Sequence, residues 1–168
     1  MNINPDLPFY KGSFRELFSA MNAEEQASLT FVGSNSDRDK LQDAFKYLYG
    51  KHHPIKKKTK VVYFIVDLAS VFASIKTIDV SKIIILKIGL VGEGVRPFGK
   101  RFSDYRIDDE PATLYMNDKS QRRTAMFAFE TDRPSELEQL LISIHKENMD
   151  GVAPPFCIKE GGTGRVSI

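Results

Sequence analysis

Apolar positions recur at a spacing of two in residues 124–130, and at three, four and seven in residues 135–148. In the first run Ala125, Phe127 and Phe129 fall on one side, the period of a β-strand. In the second, Leu137, Leu140, Leu141 and Ile144 form one stripe of a helix, whose start Ser135 and Glu138 would mark as a capping box. A last strand feeding one amphipathic helix predicts a sheet closed off by that helix.

The same patterning organises the rest of the chain. Ser13 and Glu16, followed by Leu17, Phe18 and Met21, predict a short helix ending near Asn22. Residues 29–32 read as a strand stopped by Gly33, and residues 37–49 as a helix with Leu41, Ala44, Phe45 and Leu48 on one stripe and Gly50 as its cap. Residues 61–68 are nearly all apolar, β-branched or aromatic, the signature of a strand buried on both faces or deep in a closed sheet. Residues 71–78 read as its hairpin partner, 82–91 as a further strand, 92–111 as a loop and 113–116 as a short strand. Links between strands are often too short for crossover helices. The prediction is an α+β fold: a mostly antiparallel closed or sandwiched sheet, capped by a C-terminal helix, with two N-terminal helices. It divides the chain into a flexible arm at 1–12, one domain at 13–149 and a flexible tail at 150–168.

Composition narrows the class only a little. A chain of 168 residues with 42% apolar and 27% charged residues is one ordinary globular domain. Its length lets it bury roughly 70% of its unfolded surface. A formal charge of +2 does not call for nucleic acid or a membrane as partner, though a local patch is a separate matter. Cys157 is the only cysteine, which excludes an internal disulfide and fits a reducing compartment. With no signal-peptide pattern and no long apolar run, the expectation is a cytoplasmic protein.

The order of elements resembles that of phosphotyrosine-binding (PTB) domains, members of the pleckstrin-homology superfold. Leu29-Thr30-Phe31-Val32-Gly33-Ser34 followed by a helix is similar to their first strand and helix. The basic run into Lys60-Val61-Val62-Tyr63-Phe64-Ile65-Val66 is similar to the second strand, Ser81-Lys82-Ile83-Ile84-Ile85 to the fourth, residues 112–116 to the fifth and 125–129 to the last. Residues 27–148 are spanned. The resemblance implies a non-enzymatic adaptor that takes an extended peptide as an added strand beside the fifth strand and against the last helix. The implied peptide site is Thr113, Leu114, Tyr115 and Met116 with Leu137, Leu141, Ile144 and Asn148. The helix end, Ile144-His145-Lys146-Glu147-Asn148-Met149, lacks the phenylalanine with which that family shapes its Asn-Pro-x-Tyr pocket, which points to another ligand class.

Other candidates are fewer. Lys56, Lys57, Lys58 and Lys60, with Arg122 and Arg123, offer an anionic lipid or phosphate patch of the phosphoinositide-binding kind. The lysines serve equally as gatekeepers beside the 61–66 strand. Adjacent His52 and His53 point to opposite faces, and together with His145 read as solvent-exposed rather than metal ligands. The carboxylates Asp108, Asp109, Glu110, Glu130 and Asp132 read as polar loops, not a metal centre. Cys157 lacks an activating base, and Gly92-Glu93-Gly94-Val95 lacks the features of a phosphate loop. No catalytic group, cofactor or metal is expected. The arginines and aromatics of residues 96–106 leave a nucleic-acid binder as an alternative. Self-association of a structural, for example viral, protein through its termini is another, so a homo-oligomer stays open.

Overall fold

The computed structural model describes residues 2–4, 14–35, 40–44, 54–67, 72–74, 77–79, 84–92, 96–105, 110–118 and 124–157. In chain order the elements are β1 (Asn2–Asn4), α1 (Phe14–Ser19), α2 (Ala23–Ala27) and β2 (Thr30–Ser34). A helical turn α3, described over 41–44, and a 3-10 turn at Pro54–Lys57 follow. Next come β3 (Val61–Asp67), β4 (Phe72–Ser74), β5 (Thr77–Asp79), β6 (Ile84–Val91), α4 (Phe98–Asp104), α5 (Pro111–Asn117), β7 (Thr124–Glu130) and α6 (Pro134–Asn148). The fold is α+β, as the patterning predicts.

Its centre is a four-stranded sheet in the order β2-β7-β3-β6, antiparallel throughout. All seven residues of β3 are buried, so the unbroken apolar run marks a strand covered on both faces. Val62, Phe64 and Val66 join Ala125, Phe127 and Phe129 of β7 on one face, under Leu17 of α1 and Leu137, Leu141 and Ile142 of α6. Val61, Tyr63 and Ile65 join Met126 and Ala128 on the other, under Leu41, Ile55, Phe98, Phe102 and Met116. T-shaped pairs, Phe64 with Phe129 at 5.5 Å and Phe31 with Phe127 at 5.4 Å, lock the first face.

Several expectations are corrected. Residues 113–116 are not a strand but lie within α5. Pro111 sits in its first turn, Asn35 Nδ2 donates to the Met116 carbonyl at 2.9 Å, and the Tyr115 hydroxyl donates to Asp67 at 2.9 Å. The partner of β3 is β6, not residues 71–78. Instead β4 pairs with β5, and β1 lies parallel to β5 in a separate three-stranded sheet. So the expected arm at 1–12 contributes a strand, and the expected loop at 92–111 contains α4. Of the expected tail, residues 153–157 pack against the core: Ala153 and Cys157 are each 2% exposed. The last helix starts on Pro134 with no side-chain cap, and the working capping box is Asn22 with Glu25, at the head of α2. The predicted helix cap at Gly50 lies outside the described residues.

One irregularity shapes the α4/α5 side. Between Ile65 and Val66 the β3–β6 register slips, with Ile65 opposite Lys87 and Val66 opposite Ile85. Leu86 is the extra residue of a bulge. The slip brings Lys87 and Gly89 to the same side as Tyr63, which pairs with Gly89. A Cβ at position 89 would stand 2.4 Å from the Tyr63 hydroxyl oxygen, so glycine is what lets the Tyr63 ring lie across β6. We predict that Gly89→Ala lowers unfolding stability by about 1–3 kcal/mol through overpacking, read from the denaturant midpoint at unchanged m-value.

Candidate functional site

The residues expected to line a peptide groove are split by the sheet. Met116 is buried on the α4/α5 side, whereas Leu137 and Leu141 are buried on the α1/α6 side. Thr113 is buried too, Leu114 points to solvent at 61% exposure, and Asn148 donates back to the Ile144 carbonyl. The groove between residues 113–116 and the last helix is therefore corrected: a sheet stands between its two walls.

A segment of this chain nevertheless lies where an edge strand meets the last helix. After α6 the chain reverses through Asp150 and Gly151, both at positive φ (54° and 83°), with Gly151 N–H bonded to the Lys146 carbonyl at 2.7 Å. Residues 152–157 then run along the outer edge of β6. Phe156 N–H donates to the Leu86 carbonyl at 2.8 Å. Ile88 N–H donates to Cys157 Sγ at 3.4 Å, and the thiol faces the Ile88 carbonyl at 3.6 Å. Residues 154–157 form a turn, closed by Cys157 N–H to the Pro154 carbonyl at 3.0 Å, that sets Phe156 and Cys157 on different sides. Cys157 enters the core that holds Leu141, Ile142 and Ile88, while Phe156 packs on the other side against Tyr115, ring centroids 5.3 Å apart. Ala153 enters the first core as well. His145 Nδ1 meets the Val152 carbonyl at 3.0 Å, clamping the start of the strap to α6. His145 is thus buried, not exposed as expected, and burial lowers its pKa, the Val152 carbonyl opposing. Tyr115 does touch this segment, but from a helix.

A second polar constellation fills the α4/α5 side. The Tyr63 and Tyr105 hydroxyls lie 2.6 Å apart, and Arg101 reaches both, at 3.2 and 3.3 Å. Glu110 joins Lys87 at 3.1 Å and Arg101 at 3.5 Å. Arg101 stacks on the Tyr105 ring at 4.7 Å. Burial holds the Tyr105 phenol well above its ordinary pKa, with Tyr63 adding to the rise, so it stays a neutral donor. For Glu110 burial acts upward, and the Lys87 and Arg101 charges outweigh it and lower the pKa. Such mutual saturation pins α4 and α5 to the sheet and leaves the phenol unsuited to act as a base.

A cleft of about 460 Å³ opens where α2, the start of β3 and the β7–α6 turn meet. Lys58, Lys60 and Arg133 line it against Glu24, Glu25, Glu130 and Asp132, so its surface is of mixed charge, not basic. Lys58 pairs with Glu130 at 3.0 Å, Lys57 and Lys60 are exposed, and Lys56 is half-buried. Arg122, Arg123, His52, His53, Asp108, Asp109, Arg106 and residues 93–95 lie outside the described residues. Glu110 sits at the tyrosine network, far in the fold from Glu130 and Asp132 at the cleft. Among the described residues no group of three His, Cys, Asp or Glu side chains is placed to hold a metal ion. No helix among them is long and apolar enough to cross a membrane.

Glu25 is the buried anchor of that cleft, 2% exposed. It accepts from Thr131 Oγ1 at 2.6 Å, from Arg133 at 2.9 and 3.0 Å, and from the Asn22 amide at 3.0 Å. Burial alone would raise its pKa, but the Arg133, Thr131 and Asn22 donors prevail and hold it at about 2. Sequence reading missed this residue, though Asn22 and Glu25 carry the cap spacing that points to it.

Comparison of the chain with protein-family models, with curated proteins and with solved structures gives no match.

A depressed folded pKa stabilises above the unfolded value and loses that stabilisation as pH falls through the folded one. Glu25, at about 2 folded against 4.5, therefore contributes on the order of 3 kcal/mol near neutrality. We predict that unfolding stability declines between pH 4.5 and about 2. Glu25→Gln should flatten that slope in urea titrations at stepped pH, leaving the part that other carboxylates such as Glu110, whose pKa is also lowered, contribute.

Proposed function

We propose that the chain is a non-enzymatic interaction module that captures an extended segment along the β6 edge, between α6 on one side and α5 on the other. One observation carries the reading: residues 152–157 of the chain itself occupy that edge as a bound peptide would. The Phe156 amide bonds the Leu86 carbonyl, Ala153 and Cys157 enter one core, and Phe156 packs on the other side against Tyr115. This is edge docking related to strand addition: one main-chain bond at Leu86 anchors the segment, and side-chain pockets supply selectivity. The PTB resemblance implies the same recognition mode, here with β6 in place of residues 113–116 as the edge strand.

The occupied site also describes its ligand. A small side chain fills the Ala153 position, an aromatic ring reaches Tyr115, and another small side chain follows beside Ile88. Pro154 and Pro155 open the turn that Cys157 N–H closes on the Pro154 carbonyl, and bring no unsatisfied N–H to the edge. A partner segment of that pattern competes with the strap, so its apparent affinity falls by the fraction of chains whose edge is open.

A labelled peptide with the sequence of residues 151–157 tests this by fluorescence anisotropy under reducing conditions. Phe156→Ser removes the strap's aromatic anchor while leaving the groove intact. The peptide should bind the Phe156→Ser chain at least about tenfold more tightly than the parent chain. Equal binding to both, or none to either, overturns the reading.

A further inference from the structure

We infer that the 152–157 strap exchanges between two copies of this chain, each copy laying its strap on the other's β6 edge. The inference rests on the β6 edge being a segment-binding site, and it names the partner: a second copy. Three observations carry it.

The strap is complementary to the edge by construction. In trans it makes the same contacts that it makes in cis: Phe156 with Leu86 and Tyr115, Cys157 with Ile88, and Val152 with His145. Closed and exchanged forms then differ only in the hinge and in the entropy of association.

That hinge is a helix-capping turn whose left-handed position holds Asp150 rather than the usual glycine. Asp150 stands at φ 54°, in the left-handed region that an L side chain rarely adopts, and Gly151 follows at φ 83°. The turn is closed by Gly151 N–H to the Lys146 carbonyl and Val152 N–H to the Met149 carbonyl. Straightening it for exchange returns Asp150 to ordinary extended backbone.

Apolar side chains flank the same turn in the open. Met149 is 37% and Val152 58% exposed, two of the few large hydrophobic side chains at the surface of the described residues. In a two-fold exchange the two hinges pass each other, and these side chains come to face their symmetry mates.

A short linker holds the strap at an effective concentration in the millimolar range, so the parent chain closes on itself at micromolar concentration. Deleting Asp150 and Gly151 shortens the connection by about 7 Å and removes the reversal, so that only exchange satisfies the edge. Sedimentation equilibrium and hydrogen exchange on the full-length chain test this. The hinge-deleted chain should be dimeric at about 100 µM, with the Ile88 amide as protected as in the parent. Adding Phe156→Ser to the deletion should return it to monomer. Protected β3 and β7 amides, which the strap does not touch, report that each variant is folded. Should the hinge-deleted chain stay monomeric yet bind the 151–157 peptide, exchange is wrong and the β6-edge site stands. Should it neither dimerise nor bind the peptide, both fail. A dimer whose Ile88 amide exchanges freely overturns the inference as well, because the copies then meet through another surface. If the deleted chain does not fold, the parent chain decides. Mixed donor- and acceptor-labelled copies held at millimolar concentration should gain energy transfer that Phe156→Ser abolishes, and no such gain overturns exchange.

Discussion

Burial of the central strands on both faces is the constraint from which the rest follows. All seven residues of β3 and six of the seven residues of β7 are buried. Side chains of successive residues point to opposite faces, so a strand of this kind needs cover on two sides. Helices must therefore be sorted: α1 and α6 to one face, α3, α4 and α5 to the other. That sorting forbids any groove between α5 and α6 across the sheet face. It leaves the edges as the places where backbone groups of the sheet are open to another segment.

How far the sequence reveals this depends on the length and unanimity of its signals. The run at 61–67 is long and uniformly β-prone, and its reading as a doubly covered strand holds. At 124–130, the period-two reading found Ala125, Phe127 and Phe129, but Met126 and Ala128 face a second core that one-sided alternation does not announce. Residues 113–116 carry only four positions, too few to separate a period of 2 from 3.6. Their helical state is decided by Asn35 and Asp67, which bond to α5 from distant points in the chain. A similar remoteness hid the strap. Nothing in a proline-rich stretch after a helix says that Ala153 and Cys157 are small because they enter a core beside β6.

The bulge at Leu86 links the two polar arrangements of the fold. By shifting register at one residue it turns Lys87 toward Glu110 and leaves Gly89 under the Tyr63 ring. The tyrosine pair and Arg101 then have room to meet, and α4 is fastened over β6. Fastening α4 and α5 on one side, with α6 on the other, builds the two walls between which residues 152–157 lie. A local irregularity in one strand thus shapes an edge that a regular strand would have left flat.

The two edges of the sheet are protected by different devices, and the difference bears on recognition. Among the described residues β2 pairs with β7 alone, and its Thr30-Phe31-Val32-Gly33-Ser34 sequence carries no charge. Its guard is backbone geometry: a register irregularity between Phe31 and Gly33 that breaks the regular spacing an incoming strand needs. β6 is guarded by chain. A strap supplies one peptide amide to Leu86 and puts a thiol, a weak acceptor, where a carbonyl would take the Ile88 N–H. A distorted edge repels any strand without regard to its side chains. The cover on β6 depends on side chains instead: the Phe156 ring lies against Tyr115, and Ala153 and Cys157 enter the core beside Ile88.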